Sequence, residues 1–133
     1  MAYLKYRDLT RYYNFHTELD INSLPDYVTD YVSNGEEVLA AYADSRNKFV
    51  LTDRKIILFD VKGLYKPTKR IYIFPFSSIT TTSIRFLAKK VSVLLILDSG
   101  HPLKLNFVKM LAEDKTKLRQ VYMILIDYIS LKK

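Results

Sequence analysis

The sequence predicts a mainly β fold, in which seven antiparallel strands form a partly open barrel and a C-terminal helix caps it. Between residues 37 and 107, short segments of β-branched, aromatic and aliphatic residues are separated by turn signals, a pattern typical of strands. Residues 115–130 instead repeat apolar positions every three or four residues, which indicates one amphipathic helix. The length of 133 residues suits a single domain with one core.

Turn residues divide the β-rich region into seven segments. Residues 44–46, 53–54 and 98–100 carry Asp, Ser, Arg and Gly in turn-forming combinations, and Pro75 ends the fourth segment. The predicted strands span residues 37–43, 47–52, 55–60, 70–74, 79–86, 91–97 and 101–107.

Two helices are predicted beside this region. Residues 23–33 indicate a short helix before the first strand, with Asn22 or Ser23 as its N-cap and Pro25 in its first turn. Asp114 is the predicted N-cap of the C-terminal helix. We interpret the apolar stripe of that helix as core packing, and it consists of Leu118, Val121, Tyr122, Leu125, Tyr128 and Ile129.

Residues 1–21 form an aromatic-rich N-terminal extension to a domain that spans residues 22–133. The extension is too apolar for a loose tail, so it packs either on its own domain or on a partner, and one interpretation is a short helix over about residues 4–13. The candidates for a contact with a partner are Tyr3, Tyr6, Tyr12, Tyr13 and Phe15.

Composition and charge restrict the class of protein. There is no cysteine, which excludes disulfides and thiolate sites and agrees with a cytoplasmic location. No apolar run approaches the ~18–20 residues that span a bilayer. The net charge of +7 is uneven, because residues 1–45 carry three basic and eight acidic residues (−5) and residues 46–133 carry 18 basic and six acidic (+12). Such asymmetry can steer an anionic partner or join two copies of the chain.

Four stretches of the sequence have a distinctive pattern, and they are residues 34–42 (NGEEVLAAY), residues 49–60 (FVLTDRKIILFD), Gly63, and residues 73–80 (IFPFSSIT). With these stretches the sequence resembles the bacterial pleckstrin-homology-like (PH-like) domain family over about residues 24–130. The resemblance implies two nearly orthogonal sheets with a C-terminal helix, frequent self-association and, for most members, no assigned biochemical role. Because fold does not fix function, these motifs do not identify a ligand.

Basic residues near the predicted hairpins are the candidates for binding an anion or a partner. Eukaryotic relatives in shape bind phosphoinositides with several basic residues at the first hairpin, where this chain offers Arg46 and Lys48. The loop after the third strand is richer in cations, and its candidates are Lys62, Tyr65, Lys66, Lys69 and Arg70. A solvated loop and a nucleic-acid contact are the alternatives, although no nucleic-acid-binding motif is present.

The sequence gives little support for catalysis. Residues 98–101 (Asp-Ser-Gly-His) contain the residue types of a hydrolase triad, but we expect a tight turn rather than a catalytic arrangement. Glu36 and Glu37 are adjacent in a strand start, where neighbouring side chains point to opposite faces. We therefore expect no enzyme activity, no metal site and no cofactor.

The resulting hypothesis is a non-catalytic module that acts through protein–protein interaction and is able to self-associate. The first alternative is a binder of anionic surfaces, phospholipid headgroups or nucleic acid, through the basic loops. The second is a small modulator encoded on a mobile element that binds a host protein.

Overall fold

A computed structural model describes residues 12–63, 65 and 68–131 of the chain. Its strands are β1 (Tyr12–Phe15), β2 (Thr17–Glu18), β3 (Val38–Ala43), β4 (Lys48–Thr52), β5 (Lys55–Lys62), β6 (Thr68–Pro75), β7 (Ile79–Phe86), β8 (Lys90–Leu97) and β9 (Pro102–Val108). Its helices are α1 (Asp26–Thr29) and α2 (Ala112–Leu131), and a 3-10 turn covers Phe76–Ser78.

The predicted fold class is confirmed. The described residues are mostly β, form two sheets and end in a long helix, and each of the seven predicted strands is present within two residues of its expected bounds. The two sheets are separate and are not closed into a barrel. The structure adds β1 and β2, which the sequence pattern did not indicate.

The first compact unit lies within the ranges Met1–His16 and Ser77–Lys133, and we call it the terminal unit. Its sheet has the strand order β1-β9-β8-β7, in which β1 runs parallel to β9 and the other neighbours are antiparallel. Helix α2 buries Leu118, Tyr122, Leu125 and Ile129, which belong to the predicted stripe. The hydroxyl groups of Thr82 and Tyr122 lie 3.2 Å apart, so β7 and α2 are also linked by a hydrogen bond.

The second compact unit is Thr17–Phe76, which we call the central unit. Its sheet has the order β2-β3-β4-β5-β6, and every neighbouring pair is antiparallel. Val28 of α1 is fully buried in a cluster with Ala41, Val50, Ile57 and Phe59, one face of three adjacent strands. A helix of one turn is therefore fixed by packing on the sheet, not by its own hydrogen bonds.

Both helices begin differently from the prediction. Helix α1 covers Asp26–Thr29 instead of 23–33. Before it, the Asp20 carboxylate accepts from the Asn22 N–H (3.0 Å) and the Ser23 hydroxyl (3.1 Å) in a turn, and after it the Tyr31 and Val32 N–H groups bond to carbonyls three residues back, not four. Helix α2 begins at Ala112, and Asp114 lies in its first turn, where it accepts a 3.0 Å hydrogen bond from the Leu111 N–H. Asp114 thus satisfies an N-terminal N–H from inside the helix.

Candidate interaction surfaces

The aromatic residues of β1 lie in the core of the terminal unit. Tyr13 is 4% exposed and Phe15 is 1% exposed, their rings stack at 5.9 Å, and the Phe15 ring contacts Phe107 of β9 at 5.7 Å. While β1 is paired with β9, these two side chains are not available to a partner. Tyr12 pairs with Lys104 through the same strand, and the candidates Tyr3 and Tyr6 lie outside the described residues.

A neutral polar ladder fixes the register of β1. The Asn106 amide of β9 accepts from the Ser92 hydroxyl of β8 at 2.9 Å and donates to the Asn14 side chain of β1 at 3.2 Å. These three residues lie opposite one another in the strand pairing. Since a buried amide without partners is costly, the ladder favours this register over a shift by one residue.

The first long hairpin, β3–β4, is organised by Asp44. Its carboxylate accepts from the backbone N–H groups of Arg46 (2.7 Å) and Asn47 (2.6 Å), an Asx-type turn. The Arg46 guanidinium donates to the Gly63 carbonyl oxygen, and the Asn47 side chain accepts from the Val61 N–H at 2.9 Å. The hairpin is therefore tied to the end of β5, and Arg46 is partly committed to a structural contact.

Lys48 and Lys69 converge on one tyrosine ring. The Lys48 Nζ lies 5.2 Å and the Lys69 Nζ 3.6 Å from the centroid of Tyr27, and the Tyr27 ring packs edge-on against Phe59. Neither ammonium group forms an ion pair or a hydrogen bond within the described part of the chain. The arrangement brings together two candidates that lie 21 positions apart in the sequence, and it holds them by cation–π attraction.

The remaining basic candidates lie along the β5–β6 hairpin. Lys62 and Arg70 are exposed, Tyr65 is 96% exposed, and Lys66 lies outside the described residues. Arg70 is directly opposite Asp60 in the strand pairing, and its guanidinium is 3.5 Å from the Tyr72 hydroxyl. The described part of the hairpin is thus exposed and basic.

The net charge of the chain also differs between its two compact units. The ranges of the terminal unit carry 13 basic and five acidic residues, a net charge of +8. The central unit carries eight basic and nine acidic residues, a net charge of −1, although all the basic candidates chosen from the sequence belong to it. Most of the excess positive charge of the terminal unit belongs to residues 77–133, which carry ten basic and four acidic residues.

A buried ionic network, which the sequence reading missed, lies at the start of β3. The Glu36 side chain is 0% exposed and accepts from the Lys55 ammonium (2.9 Å), the Ser33 N–H (2.9 Å) and the Thr52 hydroxyl. Burial alone would raise the pKa of Glu36, but the hydrogen bonds from Thr52, Ser33 and Lys55 and the charge of Lys55 together lower it below its ordinary value. Glu36 is thus a structural anion.

Thr52 links this network to the turn that follows β4. Its hydroxyl oxygen accepts from the N–H groups of Arg54 (3.1 Å) and Lys55 (3.0 Å), so it closes the β4–β5 turn and contacts Glu36 at the same time. In the sequence, the signals are a Thr-x-x-Lys turn at Thr52–Lys55 and the carboxylate of Glu36, which precedes Thr52 by 16 positions. Such a pairing is visible only when the register of β3 and β4 is known.

The Ser99 and His101 side chains meet in the β8–β9 turn. The Ser99 Oγ lies 2.6 Å from the His101 Nδ1. The Asp98 carboxylate forms no hydrogen bond or ion pair in the described residues, while the Asp98 N–H bonds to the Ser78 carbonyl at 2.7 Å. The contact closes the hairpin and does not extend to a carboxylate.

Strand β6 is an exposed edge. It pairs with β5 and with no other strand of the described residues, and none of its eight residues is buried, whereas Ile56–Asp60 of β5 are all buried. Its segment Ile71–Phe74 is entirely apolar or aromatic, with Ile73 47% exposed and the rings of Tyr72 and Phe74 stacked at 6.0 Å. An apolar edge strand of this length is a template for pairing with another chain.

Two further features concern metals and membranes. Within the described ranges, no group of three or more His, Cys, Asp or Glu residues is arranged to hold a metal ion. In the same part of the chain, no helix combines the length and the apolar character needed to cross a bilayer.

Two sheets followed by one long C-terminal helix, with exposed strand edges, define a PH-like domain. The chain belongs to the bacterial PH domain family, whose model matches residues 12–129. The match begins at β1 and includes all nine strands of the described residues. Comparison with curated proteins gives no match.

Three solved structures are similar to this chain. A DUF1696 family protein with a pleckstrin-homology domain from Shewanella loihica PV-4 has a TM-score of 0.69 and 16% identity, and the match covers 88% of this chain and 98% of that one. A pleckstrin homology domain from Shewanella amazonensis SB2B has a TM-score of 0.55 and 21% identity, and the match covers 79% of this chain and 86% of that one. A PH domain-containing protein from Exiguobacterium sibiricum 255-15 has a TM-score of 0.67 and 13% identity, and the match covers 90% of this chain and 63% of that one. At these identities the similarity shows the fold alone.

Proposed function

We propose that this protein is a non-catalytic binding module that acts through protein–protein contact, and that β6 is the contact surface. The observation that supports the proposal is the apolar segment Ile71–Phe74 on an edge strand, in which Ile73 is exposed and the other three residues are half-buried. Main-chain groups along such an edge provide affinity, and alternate side chains provide selectivity. The occupant that we propose is β6 of a second copy.

The residues of β6 favour an antiparallel pair centred on Tyr72. In that register Ile71 lies opposite Ile73 of the second copy, and the Lys69 and Arg70 side chains lie opposite Pro75 and Phe74. Like charges are then kept apart, whereas parallel pairing would place them side by side. The contact is two-fold symmetric, so it closes as a dimer and does not propagate into a fibre.

Light scattering coupled to size-exclusion chromatography tests this contact. We expect the wild-type protein to be dimeric at high concentration and Ile73→Lys to weaken the dimer at least tenfold, because the lysine would meet an apolar neighbour. Thr81→Lys on edge strand β7, which is also exposed, is the matched control and should leave the dimer unchanged. A monomeric wild-type protein, or equal effects of the two lysines, would refute self-pairing through β6.

A second candidate function is binding to an anionic surface through Lys48 and Lys69. Its support is the convergence of the two ammonium groups on Tyr27 without an acidic partner in the described residues. The net charge of −1 on the central unit limits the electrostatic attraction that these lysines can provide. We therefore rank this function below protein contact.

Sedimentation with phosphatidylcholine vesicles, with and without phosphatidylserine, tests the second candidate at low and moderate salt. Binding through the lysine pair requires retention on the anionic vesicles that Lys48→Gln combined with Lys69→Gln abolishes. Lys89→Gln combined with Lys90→Gln removes the same charge from the terminal unit and is the control. Equal losses in both double variants would assign the retention to net charge, and an oligonucleotide in place of vesicles tests nucleic acid.

Two other expectations remain proposals. A cytoplasmic location agrees with the cysteine-free sequence. A role as a mobile-element-encoded modulator of a host protein requires the partner to be identified, since no residue of the chain distinguishes it from self-association.

A further inference from the structure

The start of α2 and the end of β7 form one corner of the terminal unit. The Lys115 ammonium donates to the carbonyl oxygens of Leu87 and Ala88, both at 2.6 Å, and the Met110 N–H donates to the Lys89 carbonyl at 2.9 Å. The turn after β7 is thus held against the first turn of α2 from two sides. The geometry of the corner is fixed by these bonds, so it is formed before any ligand arrives.

This corner contains an open pocket of about 260 Å³. Phe86, Lys115, Thr116 and Arg119 line it. Phe86 is 47% exposed, which is unusual for a phenylalanine. Arg119 is exposed, and its guanidinium forms no hydrogen bond or ion pair within the described part of the chain. The Thr116 hydroxyl, in contrast, donates to the Ala112 carbonyl at 3.1 Å. The pocket therefore combines an apolar ring with an uncommitted guanidinium.

Size and charge restrict what this pocket accepts. Its volume lies below the roughly 300–1,000 Å³ of pockets for whole small molecules, so it suits one side chain. Lys89 follows Phe86 by three positions and adds to the +8 of the terminal unit. The adjacent Arg85 belongs to the same strand, so its side chain lies on the opposite face of the sheet from Phe86. The nearby acidic groups are Glu113, which is exposed, and Asp114, whose carboxylate is bonded to the Leu111 N–H. Positive charge therefore exceeds negative charge around an apolar centre.

We infer that this pocket is a docking site for an acidic segment of a partner protein. One aromatic or aliphatic side chain of the segment packs on Phe86, and the carboxylate of a neighbouring Asp or Glu pairs with Arg119. A guanidinium beside a ring is suited to this pair, because it accepts a bidentate carboxylate while the ring removes apolar surface from water. The site lies in the other unit from β6 and does not depend on self-pairing.

Titration with a capped five-residue peptide, phenylalanine flanked on each side by two acidic residues, tests the inference. Amide shifts in the NMR spectrum should concentrate at Phe86, Thr116 and Arg119. We expect Arg119→Gln and Phe86→Ser each to weaken binding at least tenfold, and both residues are exposed enough for the variants to fold. Arg54→Gln, which removes one exposed arginine from the central unit, should bind as the wild type does.

The peptide itself supplies the second set of controls. Replacing its acidic residues by glutamine, or its phenylalanine by alanine, should each weaken binding tenfold. Equal affinities for all protein variants would mean non-specific attraction to a +8 surface and would overturn the site. Tighter, Arg119-dependent binding of inorganic phosphate or of a single-stranded oligonucleotide would also overturn it. Ile73→Lys should retain peptide binding, so failure of the β6 dimer and failure of this pocket can be told apart.

Discussion

The two units differ in the kind of polar group that they bury. The central unit buries an ion pair, Glu36 with Lys55, between the start of β3 and the β4–β5 turn. The terminal unit buries a neutral ladder, Ser92 with Asn106, inside its sheet. The central unit is near neutrality overall, and the terminal unit carries the positive charge of the protein on its surface.

This difference shows that the placement of a buried ion pair and the net surface charge of a unit are independent of each other. A buried carboxylate is tolerated only when several donors reach it, and Glu36 has three. The surface cations of the terminal unit need no such partners, because water solvates them. The basic candidates chosen from the sequence, such as Lys62 and Arg70, all belong to the central unit, whereas the larger net positive charge belongs to the terminal unit.

The largest expected effect is on the aromatic core of the terminal unit. Phe15→Ala removes a ring that is 1% exposed and packs on Phe107, so it should cost about 3–5 kcal/mol of unfolding free energy. Phe86→Ala deletes the same ring at a site that is 47% exposed and should cost less than about 1 kcal/mol. Urea denaturation followed by circular dichroism measures both. A small loss for Phe15→Ala would show that β1 is dispensable to the core.

The next effect in size belongs to the buried ion pair of the central unit. Glu36→Ala leaves the Lys55 ammonium and the Ser33 N–H without the acceptor shown in the structure, whereas the Thr52 hydroxyl keeps the Lys55 carbonyl oxygen at 3.2 Å. Because the Lys55 side chain keeps 18% exposure, we expect a loss of about 2–4 kcal/mol. Glu37→Ala, at the adjacent exposed carboxylate, should change the free energy of unfolding by less than about 0.5 kcal/mol. If the two variants unfold at the same urea concentration, the network is not a source of stability.

The neutral ladder should be worth less than the ion pair. Asn106→Ala leaves the Ser92 hydroxyl without its acceptor in a buried site, which costs about 1–3 kcal/mol. Asn22→Ala, at an exposed asparagine, is the control and should be nearly neutral. The comparison between the units is sharpened if Asn106→Ala costs less than Glu36→Ala in the same denaturation experiment, and it is broken if the order is reversed.

What could be predicted from the sequence follows from the range of the interactions. Strands β3 to β9 were found because alternation and turn chemistry are local. Strand β1 was not, because its partner β9 begins about ninety positions later and parallel pairing leaves no hairpin signal. Helix α1 was overextended because turns flank it on both sides, at Asp20–Ser23 and at Val28–Val32.

The sites were harder to predict than the fold for the same reason. The convergence of Lys48 and Lys69 needs three strands in register, and the Glu36 network needs two. The pocket at Phe86 needs the turn after β7 to meet a helix that begins 26 positions later. The division of charge by unit was invisible because the chain leaves the terminal unit after His16 and returns to it at Ser77.

The smallest expected effect is a pH dependence of the free energy of unfolding. Of the two buried networks, only the one in the central unit contains a titrating group, Glu36. In the folded protein the pKa of Glu36 lies below its ordinary value of 4.5, so the unfolded chain binds more protons at acidic pH. The stability that Glu36 contributes is therefore complete above the ordinary value and is lost as the pH falls through the lowered pKa. The Ser92–Asn106 ladder has no titrating group and contributes no such slope.

Denaturation of the wild type and of Glu36→Gln at a series of pH values from 6 to 3 isolates this contribution. Glutamine keeps the shape of the side chain but cannot titrate, so the difference in unfolding free energy between the two proteins should shrink as the pH falls. Asn106→Ala should instead remain offset from the wild type by a constant amount over the same range. A constant offset for Glu36→Gln as well would mean that the carboxylate is not held ionised by its donors, and that the two buried networks behave alike.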